Sequence, residues 1–138
     1  MNPFRSLREY EEFVYRLQQL FPSIVMSTLV VSPRAARQAK VVGEIGFSNG
    51  YKLVIRERLT TETGPLLIER YSYEAWHNTD LLYWYDSQAH PNNPDLASTH
   101  PHHKHVPPDI KHNRIPAPGL SFTRPNLSFL IAELEQII

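Results

Sequence analysis

Leu7, Tyr10, Val14, Leu17 and Phe21 recur at three- and four-residue spacing, the period of one helix face. Asn2 offers a cap, Pro3 suits the first helical position and Pro22 stops the run, so a helix is predicted over 3–20. Ser23–Val31 is rich in β-branched and apolar residues and closes at Pro33, which predicts a strand. Lys40–Ser48 and Tyr51–Thr60 read as two more strands, joined by Asn49-Gly50, a strong signal for a tight hairpin turn. Leu66–Trp76 and Asp80–Ser87 form a second pair around His77-Asn78-Thr79. Leu127, Leu130, Ile131, Leu134 and Ile138 lay an apolar stripe along a C-terminal helix over 126–138, with Asn126 as its cap after Pro125. Strands joined by such short turns must be antiparallel. The predicted class is α+β: a single antiparallel sheet of about five strands over 23–88, with an N-terminal and a C-terminal helix covering one face.

A different kind of sequence separates the sheet from the last helix. All seven His lie between His77 and His112, and eight of the twelve Pro lie between Pro91 and Pro125. Residues 89–125 are thus a Pro/His-rich segment, too proline-rich for a helix or a central strand. Such a length of irregular chain usually serves a function or is disordered. Ile110, Ile115, Leu120 and Phe122 can anchor it to the core.

With 138 residues the chain has room for one domain, 1–138. No apolar run approaches membrane-spanning length, so no membrane association is expected. Arg5, Arg8 and three Glu before residue 13 do not make a secretory signal, which points to the cytoplasm. The absence of Cys excludes disulfides, thiolate metal sites and a cysteine nucleophile. Fourteen basic side chains balance fourteen acidic ones, so any nucleic-acid binding must come from a local patch or from protonated histidines.

Two carboxylates stand out in the strand pattern. Glu57 alternates in phase with Tyr51, Leu53, Ile55 and Leu59, while Lys52, Val54, Arg56 and Arg58 face the other way. Asp86 shares a face with Leu82 and Trp84. A carboxylate among apolar residues is costly unless paired. Glu57 is either the partner of an Arg at the sheet's rim or a site residue beneath the histidines. Asp86 is either a turn residue or part of the same site.

The run from Tyr83 to His105 carries the candidate chemistry. His90, His100, His102, His103, Lys104 and His105 fall within sixteen residues. Three readings fit: a solvated loop; a divalent-metal site built from His-x-His pairs with Asp86 or Glu57; or metal-free phosphodiester chemistry. The last needs a base and an acid that titrate near neutral pH, plus a cation for the phosphorane, and His and Lys supply these. Tyr71, Tyr73 and Tyr85 could stack unpaired bases, although aromatic residues are also favoured in strands generally. Dinucleotide, P-loop, zinc-protease and serine-hydrolase signatures are absent.

Several motifs occur in a telling order. They are Gly-Glu-Ile-Gly-Phe-Ser-Asn-Gly (43–50), Arg-Glu (56–57), Tyr-Ser-Tyr (71–73), Tyr-Asp-Ser-Gln-Ala-His (85–90) and His-Pro-His-His-Lys-His (100–105). In these the chain resembles the TumE-type toxins of bacterial toxin–antitoxin modules, with Trp84 standing where the family carries Arg. The resemblance implies a toxin that cleaves RNA, free or on the ribosome. It also implies a cognate antitoxin, a small DNA-binding protein from the adjacent gene. Chemistry then places Glu57, Asp86, His90, His102, His103, Lys104 and His105 in the catalytic set, with Tyr71, Tyr73, Tyr85 and His100 binding RNA. No cofactor is required in this scheme. The alternative is a non-enzymatic module that binds a divalent metal or a protein through the Pro/His-rich segment.

Overall fold

A computed structural model describes residues 3–87 and 102–138. Pro3–Arg5 is a single 3₁₀ turn, and the first α-helix, α1, runs Leu7–Tyr15. Its start is set by Ser6, whose Oγ accepts a hydrogen bond from the Glu9 backbone N–H at 3.1 Å. Ser6-x-x-Glu9 is the spacing of a capping box, a stronger start signal than Pro3. The chain leaves helical geometry at Arg16 and resumes in α2, Leu17–Leu20. The single helix expected over 3–20 is therefore three pieces, although Tyr10, Val14 and Leu17 are buried as its periodicity requires.

Eight strands follow among the described residues: β1 Met26–Ser27, β2 Val30–Ala35, β3 Gln38–Gly46, β4 Tyr51–Thr60, β5 Leu67–His77, β6 Asp80–Asp86, β7 His103–His105 and β8 Arg114–Pro116. They form one antiparallel sheet in the order β1-β3-β4-β5-β6-β7-β8, with β2 also paired to β3. The α+β expectation holds, with three more strands than the five expected. The segment read as Ser23–Val31 is two short strands on one edge of β3, and Pro33 lies inside β2 rather than ending it. An edge strand tolerates a missing N–H. β7 and β8 lie inside the Pro/His-rich segment, where no strand was expected; three residues each suffice because β6 supplies an edge for β7, and β7 one for β8.

Cross-strand partners point to the same face of a sheet. One face carries Val41, Glu57 and Tyr71 in one row, and Ile55, Tyr73, Tyr85 and Lys104 in the next. The helices lie on this side: Tyr10 of α1 and Glu133 of α3, Leu127–Glu135, both hydrogen-bond to its side chains. Leu127, Leu130, Ile131 and Leu134 of α3 are fully buried, and such side chains contribute about 1.5–3 kcal/mol each. The Asn126 side chain does not cap α3. It instead accepts from the Ser121 N–H and donates to the Ser121 carbonyl, which ties down the preceding turn. The opposite face carries Lys40, Arg58 and Arg70 in one row, and Val42, Arg56, Ser72, Asp86 and His103 in the next.

Candidate functional site

Glu57 and Asp86 part company on this sheet. Glu57 pairs with Tyr71 and Asp86 with Ser72, and neighbours along a strand point to opposite faces. Glu57 is on the helix-covered side and only 3% exposed. No Arg partners it. Tyr10 Oη donates to its Oε1 at 2.6 Å and Tyr73 Oη to its Oε2 at 2.5 Å, while Asn126 Nδ2 donates to Tyr73 Oη at 3.1 Å. Burial pushes the Glu57 carboxyl above the ordinary range, and the two hydroxyl donors pull it part of the way back. Burial drives the Tyr10 and Tyr73 hydroxyls well above theirs, with the Glu57 charge adding to the effect.

Asp86 lies on the other face, at the margin where β6 meets β7. One of its oxygens, Oδ1, contacts His103 Nε2, and the other, Oδ2, lies 3.3 Å from His105 Nε2. His103 and His105 both project here because they are alternate residues of β7, whose pairing sets His103 beside Asp86 and His105 beside Trp84. The Trp84 ring stacks on His105 at 4.1 Å, and Trp84 Nε1 donates to Ser72 Oγ at 3.2 Å. His105 Nδ1 sits 2.8 Å from the Ile110 carbonyl oxygen. The cluster is nearly sealed: His103 is 0% exposed, His105 2% and Asp86 7%. One ligand atom from each residue lies within 4.8 Å of the other two, so the three could also grip a cation.

Residues 14–138 match the family model described as Toxin TumE. The chain belongs to the TumE toxin family. No match was found among curated proteins or solved structures. Membership makes the protein a toxin and implies a cognate antitoxin. No described helix is long and apolar enough to cross a membrane.

Of the residues that sequence singled out in this toxin, Asp86, His103 and His105 come together, and among the described residues Glu57, Tyr71, Tyr73, Tyr85, His102 and Lys104 do not join that carboxylate–imidazole contact. Lys104 projects to the helix-covered side, where its Nζ lies 3.1 Å from Glu133 Oε2 and 4.3 Å from the centre of the Tyr83 ring. Tyr85 donates to the same Glu133 oxygen at 2.7 Å. His102 also turns that way, with its Nδ1 2.5 Å from Tyr71 Oη and its ring stacked on that of Tyr71. Tyr71, Tyr73 and Tyr85 are buried on this side, and Glu57 is enclosed beneath α1. His90 and His100 lie outside the described residues. Sequence reasoning missed Glu133 as the partner of Lys104, and Tyr10 and Asn126 as parts of the Glu57 network. Tyr10 was legible only as a helix-face residue and Asn126 only as a cap.

Proposed function

We propose that the toxin is an endoribonuclease whose acid–base chemistry is carried by Asp86, His103 and His105. The observation that carries this reading is one carboxylate with an imidazole on each oxygen. The Ile110 carbonyl can only accept, so His105 Nδ1 carries a hydrogen and Nε2 faces Asp86. A bare lone pair at that position would oppose a carboxylate oxygen, so a proton or a cation belongs between them. With a proton there, His105 is an imidazolium poised to act as an acid, and Asp86 holds both rings in orientation. His103 then takes the proton of a ribose 2′-hydroxyl. The 2′-oxygen forms a bond to phosphorus, the bond from phosphorus to the 5′-oxygen breaks, and that oxygen takes the place of Asp86 Oδ2 at His105 Nε2 and leaves with its proton. The products are a 2′,3′-cyclic phosphate and a 5′-hydroxyl. Because the cluster is nearly sealed, part of its cover must move before RNA reaches it. Lys104 is committed to Glu133 on the far side and takes no part in this scheme.

A second reading places a divalent cation between the same atoms. The mutual approach of the three ligand atoms within 4.8 Å favours it, as does the Ile110 carbonyl behind His105, a usual support for a metal-bound imidazole. Induced expression with mapping of RNA ends tests the nuclease. The wild type should arrest growth and create new 5′-hydroxyl ends, and Asp86→Asn should do neither. Growth arrest with intact RNA would sink the nuclease reading.

A further inference from the structure

The face that presents Asp86 also holds an unusual concentration of positive charge. Lys40, Arg58 and Arg70 are direct cross-strand neighbours on β3, β4 and β5. Like charges directly opposite one another destabilise a sheet, and three in a row compound the cost. Arg56 stands in the adjacent row, and Arg34 of β2 joins from the edge. Together with Val42, Ser72 and the strand positions of Glu57 and Tyr71 they line an open basin of about 330 Å³. Among the described residues, none of the five cations forms an ion pair with an acidic side chain. Arg58 is held below its ordinary range, first by desolvation and then by repulsion from Arg34 and Arg70, with Glu69 offsetting only part of this. The net charge of the chain is zero, so this crowding is local.

The position of the basin gives it a meaning. Arg56, Ser72, Asp86 and His103 are successive cross-strand partners in a single row. From Arg56 to His103 is three strand spacings, about 14 Å. An anionic chain crossing the strands would pass from the basin onto the Asp86 cluster without leaving this face. We propose that the basin of Arg34, Lys40, Arg56, Arg58 and Arg70 holds the phosphates of a single-stranded RNA and leads it to Asp86 and His103. Single-stranded RNA fits because in-line attack by a 2′-hydroxyl needs a backbone freed from duplex geometry. Phosphates would relieve the repulsion within the Lys40–Arg58–Arg70 row and replace their own counterions. This rests on the nuclease reading for what happens after binding, whereas the binding itself can be measured without cleavage.

The test uses a fluorescent 2′-O-methyl oligoribonucleotide, which cannot be cut, and fluorescence anisotropy over a range of salt. Arg56→Gln/Arg70→Gln should weaken binding about tenfold or more. It should also flatten the slope of log affinity against log salt by about 1.4, as expected for two lost contacts to a single strand. Arg58→Gln/Lys40→Gln, a second pair in the same basin, should act the same way. Arg8→Gln, which alters an exposed cation on α1, should change neither quantity. Unchanged affinity and slope in both basin pairs would overturn the proposal. So would a wild type that binds a polyglutamate peptide through these residues and ignores the oligonucleotide, since the basin would then serve an acidic protein partner. If the basin variants lose binding but the wild type cuts no RNA, the basin stands and the nuclease reading falls. If the wild type cuts RNA and the basin variants keep its KM and salt slope, the basin falls and the nuclease reading stands.

Discussion

Glu57 and Asp86 are both buried carboxylates in the central strands of one sheet, yet they keep different company. Glu57 is held by two tyrosine hydroxyls under α1, and Asp86 by two imidazoles on the opposite face. Burial drives the hydroxyls of Tyr10 and Tyr73 well above their ordinary range, so these two partners of Glu57 keep their protons and are poorly suited to exchanging them at physiological pH. Imidazoles are the side chains suited to that task. The helix-covered face thus holds a carboxylate between tyrosines and the other face a carboxylate between imidazoles, and it is to the latter that the proposed function assigns the chemistry. A buried carboxylate is not by itself a sign of a site; the proton affinity of its partners decides.

This contrast can be broken most sharply by Asp86→Asn. The substitution preserves shape but removes the charge that orients His103 and His105, and RNA cleavage should fall by about two to four orders of magnitude. Comparable cleavage by a folded Asp86→Asn would move the chemistry elsewhere. Glu57→Ala should show the reverse pattern. It strands two buried hydroxyls and opens a cavity, costing about 2–5 kcal/mol in urea unfolding. The cleavage rate per folded molecule should stay unchanged.

The two faces should also separate with pH. Glu57 holds its proton more tightly in the folded than in the unfolded chain. Its favourable contribution is therefore complete below the unfolded carboxyl pKa, about 4.3, and is lost as pH rises through the folded value. Glu57→Gln removes that titration, so its stability relative to wild type should improve as pH rises from about 4.3 through the folded value. Parallel stability curves for the two proteins would show that the Glu57 pKa does not change on folding. The smallest effect belongs to Lys104→Met. Its partly exposed ion pair with Glu133 should be worth within about 1 kcal/mol, and cleavage should change little. A hundredfold loss of cleavage would return Lys104 to the site.

Much of the architecture could be read from the chain. Asn49-Gly50, with positive φ at both residues, turns β3 into β4 as its identity demands. The stripe of α3 is buried as its spacing requires. β7 and β8 were illegible because three polar or proline-containing residues carry no periodicity; only the edge of β6 makes β7 a strand, and β7 in turn makes β8 one. The division between Glu57 and Asp86 was hidden for a related reason. Alternation within a strand fixes which residues share a face, but it does not fix which face meets the helices. In β6 both faces are aromatic, with Tyr83 and Tyr85 against Trp84, so composition could not choose. The pairing of Ser72 with Asp86 chose instead, and that register lies in the contact between two strands. The cations of Lys40, Arg58 and Arg70 were visible singly along their strands, but their alignment in one row depends on the same registers.

The most direct test of Asp86, His103 and His105 as the metal-free cleavage centre is incubation of the purified toxin with an RNA carrying one mapped cleavage site, in EDTA, followed by analysis of the new ends. Wild type should still cut, leaving a 2′,3′-cyclic phosphate and a 5′-hydroxyl, and folded His105→Gln should be slower by about two orders of magnitude or more. Cleavage that vanishes in EDTA and returns only with a divalent ion, or that persists at full rate in His105→Gln, would contradict it.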